Sequence, residues 1–367
     1  MAGRVVMLTP ALGKEGGAAK HARTIATGLD ERGWEVTAIA RRPDGWLPSR
    51  SRLNGVRVIE TPGFGQRLAG AVAYLLLALP LSLWHGRRAS YISLELASQG
   101  LVAAACAALS GRRYVGFTFS SGRRGEIENF RASRLWPLRR ALLRHATWMV
   151  GQTEAAAAEL EAIVPAERTA VVPTPVERVS PTPLSGEPRA LFTGRLTAGK
   201  GLDTLLDAWE LVLDRLPDAR LTIAGSSAGW AWGWAPVEEE LRARVADSPR
   251  LRDSVELTGW VADVASLLAT HDVYVLPSRS EGMSNALLEA GAWQRAIVAS
   301  DLPASRAILG EGYPLLFGVD DSGALADRLV EAFTDEATRR DAVERLRERM
   351  PAFYATGVLE RIEALLS

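Results

Sequence analysis

The sequence predicts an α/β protein built from two doubly wound parallel-sheet domains, on three observations. The first forty residues run strand, Gly-bearing loop, helix, strand; a proline-rich stretch interrupts the chain near its middle; and beyond it six short apolar runs alternate with helical patterns. Strands separated by helical segments read as βαβ units, and hence as parallel sheet. A length of 367 residues accommodates two domains of roughly 100–200 residues, and a hydrophobic fraction of 47% suits a globular core.

Taken in order, Val5–Thr9 is the first strand, Gly13-Lys-Glu-Gly16-Gly17 a loop, Ala18–Arg32 a helix, and Gly33-Trp-Glu-Val-Thr-Ala-Ile-Ala the second strand. A Gly-Gly turn ahead of a helix lets backbone approach a phosphate where a Cβ would intrude. No Gly-x-Gly-x-x-Gly with a downstream acid accompanies it, which argues against a dinucleotide site. Leu68 to Trp84 is a run of seventeen uncharged residues followed by His85, Arg87 and Arg88. A hydrocarbon core of about 30 Å needs roughly 20 helical residues, and Pro80 interrupts this run. A helix docked on the sheet is expected; an interfacial helix with arginines at lipid headgroups is the alternative. Pro173 to Pro188 is the linker. After it, Ala190–Thr193, Arg220–Ala224, Ser254–Thr258, Asp272–Leu276, Ala296–Ala299 and Leu315–Phe317 read as strands.

The net charge of zero conceals a division: residues 1–180 carry 24 Lys and Arg against 14 Asp and Glu, a net +10, and the remainder carries the balancing −10. Nine arginines between Arg112 and Arg144 supply much of the excess. Such a field favours an anionic partner, either a lipid-phosphate acceptor or an acidic membrane surface, unless the arginines merely form a solvated face. No stacking-aromatic array accompanies them, so nucleic acid is not expected. The single cysteine, Cys106, excludes an internal disulfide and, without a Cys/His cluster, a thiolate zinc site. The first apolar run is too short for a signal peptide, so a cytoplasmic protein, peripheral at most on the inner membrane face, is expected.

The chemistry concentrates in Pro277-Ser-Arg-Ser-Glu281-Gly-Met-Ser-Asn-Ala-Leu-Leu-Glu289-Ala. The preceding His-Asp-Val-Tyr-Val-Leu-Pro reads as a covered strand, and Ser284 or Asn285 can cap the helix that follows. Unpaired N–H groups and the dipole at such a helix start favour an anion, with phosphate the natural guest. Glu289, four or five residues into the helix, can accept hydrogen bonds from hydroxyls of a phosphate-anchored ligand, and Glu281 sits in the turn.

This block resembles the donor-binding signature of retaining glycosyltransferases of the two-Rossmann-domain type (GT-B, group 1 or family 4-like). A second block, Leu191-Phe-Thr-Gly-Arg195-Leu-Thr-Ala-Gly-Lys200-Gly-Leu, is similar to that family's Gly-Arg and Lys-Gly pairs, whose cations hold the diphosphate of a nucleotide sugar. Only three lysines, Lys14, Lys20 and Lys200, stand against forty arginines, and one of them falls there. The resemblance implies transfer of a sugar from a nucleotide diphosphate to an acceptor hydroxyl, in cell-envelope glycolipid or polysaccharide synthesis. It implies retention of anomeric configuration without metal or other cofactor, the nucleotide sugar being the donor substrate. Arg195 and Lys200 would stabilise the departing diphosphate, Glu281 would face the donor sugar, and Glu289 would hold the ribose. Gly16, Gly17, Gly225 and the backbone at Met283, Ser284 and Asn285 would line the donor. The implied layout is an acceptor-binding Rossmann-like domain over 1–178, a nucleotide-sugar domain over 179–348, and a terminal helix over 349–367 crossing back onto the first.

A plainer reading makes Arg195 and Lys200 loop cations paired with Asp203 or Asp207. The chain also departs from the family. Tyr114 to Gly122 lacks the cleft histidine of many relatives, leaving Ser120, Ser121 and Glu126 as acceptor-side candidates, while His21, His85, His145 and His271 read as helix or strand-edge residues. Trp293-Gln-Arg295-Ala replaces a small-Gly-x-Pro turn, and Thr174-Pro-Val-Glu177 replaces an Asn-Gly-Val-Asp. The loop holding Trp230, Trp232 and Trp234 either stacks on a ligand or folds onto its own core. Alternative functions are a nucleotide-sugar epimerase or sugar phosphorylase on the same fold, or a non-catalytic nucleotide-sugar-binding regulator.

Overall fold

The structure, a computed structural model, describes residues 2–10, 12, 17–42, 49–62, 68–119, 125–227 and 235–367. The chain divides into two compact units, Met1–Pro175 with Ala355–Ser367 and Val176–Tyr354.

Unit 1 is an eight-stranded sheet: β1 (Gly3–Thr9), β2 (Trp34–Arg42), β3 (Ser49–Leu53), β4 (Val56–Pro62), β5 (Ser90–Ser93), β6 (Tyr114–Thr118), β7 (Trp148–Gly151) and β8 (Thr169–Val171). Their spatial order is β3-β4-β2-β1-β5-β6-β7-β8, and every pairing is parallel except that of β3 with β4. The exception is a hairpin at the sheet edge. Asn54 and Gly55 join its strands at φ 46° and 92°, the left-handed pair that a two-residue turn needs.

Side chains of β1 alternate between two cores. Val5 and Met7 pack with Ala22, Ile25, Ala26 and Leu29 of the helix Gly17–Glu31 and with Val358, Leu359 and Ile362 of the helix Ala355–Leu366. Val6 and Leu8 face the helices Leu68–His85 and Ser98–Ser110. The C-terminal helix is tightly seated: a Cβ at Gly28 would lie 2.3 Å from a methyl of Leu359, and Glu363 accepts from Arg32 at 2.9 Å and from the Trp34 indole at 2.8 Å.

Unit 2 holds β9 (Arg189–Thr193), β10 (Arg220–Ala224), β11 (Val255–Gly259), β12 (Val273–Leu276), β13 (Ala296–Ser300) and β14 (Leu316–Phe317), all parallel, in the order β11-β10-β9-β12-β13-β14. This is a doubly wound sheet whose strand order reverses between β9 and β12, the place where such sheets bind ligands. Both strands are buried on both faces, hence their apolar runs. Val176 belongs here because its N–H donates to the Phe353 carbonyl at 2.9 Å.

The proline-rich stretch is ordered along this unit. Asp272 accepts the backbone N–H groups of Ser185 (2.8 Å) and Gly186 (2.5 Å), while the buried Arg295 guanidinium donates to the carbonyls of Thr182, His271 and Trp293. The Arg295 side chain thus satisfies three carbonyls, and the preceding Gln294 takes φ 55°.

Candidate active site

At the reversal point of unit 2 the loop after β9 meets the loop after β12. Gly201, at φ 62°, begins the helix Leu202–Arg215, and a Cβ there would sit 2.0 Å from the Pro277 carbonyl oxygen. Gly225, just after β10, is equally confined, since its Cβ would fall 1.7 Å from the Gly194 carbonyl oxygen. These glycines let three strand-end loops close on one another.

That approach brings Lys200 to Glu281. The Lys200 ammonium donates to Glu281 Oε1 at 2.5 Å, and Ser278 Oγ donates to the same oxygen at 2.6 Å. The pair is mostly sheltered, with side chains 18% and 11% exposed. Arg195 stands nearby: desolvation by the surrounding protein lowers its pKa, and the Glu281 carboxylate opposes that drop. Asp203 and Asp207, the plainer partners for these cations, pair instead with Arg279 at 2.7 Å and Arg244 at 2.5 Å.

Ser284 caps the helix Asn285–Ala292, its Oγ accepting from the Leu287 N–H at 3.3 Å. Met283 precedes the cap, Asn285 is the first helical residue, and Glu289 lies one turn further in, partly exposed. Beneath them the buried Tyr274 hydroxyl donates to the Thr193 carbonyl at 3.1 Å. Burial drives the Tyr274 pKa up, against its hydrogen bonds to Thr193, and the charges of Glu289 and Glu281 raise it further. Arg195 and Lys200 follow the carboxyl end of β9, Glu281 and Glu289 follow that of β12, and Lys200 and Glu281 join the two loops. An anion there meets two cations and a capped helix start, with carboxylates beside it for hydroxyls.

Arg279 was not read from the sequence, although it lies inside the block singled out. Its backbone N–H donates to the Gly199 carbonyl at 2.9 Å and its guanidinium to the Ala198 carbonyl at 2.5 Å, to Asp203 and to Asp320, both at 2.7 Å. It clamps the turn Ala198–Lys200 onto the loop that carries Glu281.

In unit 1, Gly17 opens the helix Gly17–Glu31 and is exposed; Gly16, Ser120, Ser121 and the three tryptophans of the 230–234 loop lie outside the described residues. Glu126 is engaged by the fold: Oε1 accepts the Leu96 N–H at 3.0 Å and Oε2 the Thr118 hydroxyl at 2.9 Å. Burial pushes its pKa to about 7, against those hydrogen bonds. Glu95, two residues past β5, rises to about 8 through burial and then through the charge of Glu126. Phe119 follows β6, and its ring centroid is 4.6 Å from that of buried His21, whose pKa burial lowers to about 3. Among the described residues no group of three His, Cys, Asp or Glu is placed to hold a metal.

Two family descriptions match the chain in succession: the glycosyl transferase 4-like domain over residues 16–175 and the glycosyl transferases group 1 domain over 187–335. The chain belongs to the group 1, family 4-like glycosyltransferases. In this family it is similar to the phosphatidyl-myo-inositol mannosyltransferase of Mycolicibacterium smegmatis, 34% identical over 176 residues, which are 46% of this chain and 42% of that one. It also resembles the alpha-D-kanosaminyltransferase of Streptomyces kanamyceticus, 28% identical over 131 residues, 35% of this chain and 32% of that one. The match therefore spans less than half the length of these curated relatives. Among solved structures, sucrose-phosphate synthase from Thermosynechococcus elongatus superposes with a TM-score of 0.80 at 19% identity, covering 99% of this chain and 98% of the other. HepE of Anabaena, solved with UDP-glucose, gives 0.78 at 17% identity, covering 99% of each chain. These likenesses establish the GT-B fold of two α/β domains with parallel sheets.

Proposed function

We propose that this glycosyltransferase moves a sugar, with retention, from a nucleotide diphosphate to an acceptor hydroxyl, in the synthesis of a cell-envelope glycolipid or polysaccharide. The observation that carries the reading is the meeting of Arg195, Lys200 and Glu281 at the strand-order reversal of unit 2, beside a capped helix start. As the sugar–phosphate bond breaks, negative charge grows on the diphosphate. Cations and helix N–H groups fixed beside it bind the departing group more tightly than the ground state, which lowers the barrier. Lys200 has three protons, of which Glu281 holds one; in this reading the others serve phosphate oxygens of the donor. Glu281 keeps the ammonium in place and balances positive charge at the anomeric carbon, and Glu289 accepts from ribose hydroxyls. In this reading Arg195, Lys200 and the helix start perform the charge stabilisation assigned to a metal in other transferases.

The nucleotide sugar bound to HepE and the phosphatidyl-myo-inositol in the name of the mycobacterial relatives support a nucleotide-sugar donor and a lipid-linked acceptor. The net +10 of residues 1–180 suits an anionic acceptor held at an acidic membrane surface. The test is product analysis with a panel of nucleotide sugars and lipid-phosphate acceptors. Acceptor-dependent release of nucleoside diphosphate, with the product's anomeric configuration matching the donor's by NMR, supports the reading. Release without an acceptor, or an inverted product, contradicts it.

A further inference from the structure

Ten large apolar side chains stand exposed among the described residues, and six of them share one layer of unit 1: Leu76, Leu77, Trp84, Leu109, Leu135 and Leu138. Four of the six, Leu76, Trp84, Leu109 and Leu138, are 67–70% exposed, more than any of the four elsewhere. They belong to the helices Leu68–His85 and Ser98–Ser110 and to the start of the helix Trp136–Leu143, neighbours over the same face of the sheet.

The first helix is apolar on two sides. Tyr74, Ala78 and Ser82 are buried toward the sheet, as a docked helix requires, yet Leu76, Leu77, Pro80 and Trp84 form an outward stripe at helical spacing. A helix docked in a monomer normally turns polar residues outward, and this one has none there.

Charge identifies the occupant. None of the three helices contains an acidic residue. Their ends and flanks carry the exposed arginines Arg87, Arg88, Arg112, Arg113, Arg134 and Arg140. Arg112 donates to the Arg87 carbonyl at 3.2 Å, which joins the ends of the first two helices, and the Arg87 guanidinium lies 4.8 Å over the Trp84 ring. Apolar and cationic groups therefore form one surface at that end. A second copy docked through this face would set arginines against arginines. A bilayer containing anionic lipid offers phosphate to the arginines, hydrocarbon to the leucines, and a boundary that suits tryptophan. Among the described residues no helix is long and apolar enough to cross a membrane, so the contact is one of lying on the surface.

We propose that this three-helix face is a docking surface for an anionic bilayer, an inference that deepens the lipid-linked reading above by naming where the membrane is met. The test is flotation of the full chain with phosphatidylcholine vesicles, with and without phosphatidylglycerol. The chain should float with the anionic vesicles and stay behind with the neutral ones. The exposed-site variant Leu76→Ser with Trp84→Ser should weaken binding at least about tenfold, and Arg88→Gln and Arg113→Gln should each weaken it about fivefold.

Failure of the chain to float with anionic vesicles overturns the proposal, as does unchanged flotation of the Leu76/Trp84 variant. Loss of a dimer by that variant in sedimentation equilibrium also overturns it, because a second copy would then own the face. Nucleotide titration separates this inference from the transferase reading, since its candidate residues lie in unit 2. A chain that binds nucleoside diphosphate but ignores vesicles sinks the surface alone; one that floats but binds no nucleotide upholds the surface and sinks the donor site.

Discussion

Replacing Lys200 by Met keeps most of the side-chain volume and removes its charge. Two losses follow. The first is the direct contact with phosphate, about 1.5–3 kcal/mol for a charge-assisted hydrogen bond, or roughly ten- to 150-fold in affinity. The second comes from Glu281, which is 11% exposed and would lose its 2.5 Å partner beside an incoming dianion. A sheltered carboxylate left with the Ser278 hydroxyl and the nearby Arg195 but without its ammonium partner repels that guest, so the variant should fall at the weak end of the range. Adding Glu281→Gln to Lys200→Met should then recover part of the affinity, because the repulsion goes while the lost contact stays lost. The assay is calorimetric titration with a nucleoside diphosphate and the matching monophosphate. Wild type should prefer the diphosphate, and Lys200→Met should lose most of that preference. An unchanged preference, or a double variant weaker than the single one by the full cost of Glu281→Gln alone, would refute the reasoning.

Other substitutions test the surrounding frame. Gly225→Ala places a methyl 1.7 Å from the Gly194 carbonyl oxygen and should cost about 3 kcal/mol of unit 2 stability, read as an earlier denaturant midpoint for that unit. Arg279→Met removes ion pairs to Asp203 and Asp320, whose side chains are 62% and 53% exposed, so each contributes under about 1 kcal/mol. Its larger effect should be on nucleotide affinity, about three- to tenfold, as the turn bearing Lys200 loosens; unchanged affinity would show that Arg279 does not position it. Glu95 and Glu126 have folded pKa values near 8 and 7, above those of the unfolded chain. The folded state binds the extra protons, so unit 1 should be most stable below about pH 4.5 with respect to these groups and should lose that contribution as pH rises through 7 to 8. Glu95→Gln should flatten the upper part of the slope, and a melting profile over pH 5–8 that is equally steep in the variant would contradict this.

The strands were legible because a parallel sheet buried on both faces leaves short apolar runs between turns. The sequence places strands at Arg220–Ala224 and Ala296–Ala299, and the structure has Arg220–Ala224 and Ala296–Ser300. The β3–β4 hairpin went unread even though Asn54-Gly55 is a strong local turn signal, because its polar Ser49–Leu53 strand lacks a covered-strand pattern. The two motif blocks were visible singly. Their meeting through Lys200 and Glu281 joins residues 81 apart in the chain and is a product of strand order, which no local pattern encodes. Arg279 was overlooked for the same reason: an arginine in a loop gains its meaning only from the Ala198, Asp203 and Asp320 groups that the fold delivers to it. Leu68–Trp84 posed the opposite difficulty. Its uncharged composition could not separate a docked helix from an interfacial one, and the structure shows one buried face and one exposed apolar face.

The central claim is a nucleotide-sugar site on unit 2, and titration calorimetry of the purified chain with UDP, GDP, ADP and TDP, alongside Glu289→Ala, tests it most directly. The account predicts saturable binding of one nucleotide, weakened about tenfold or more by loss of the carboxylate that accepts from the ribose. Absence of binding by any of the four, or binding indifferent to Glu289→Ala, would contradict it.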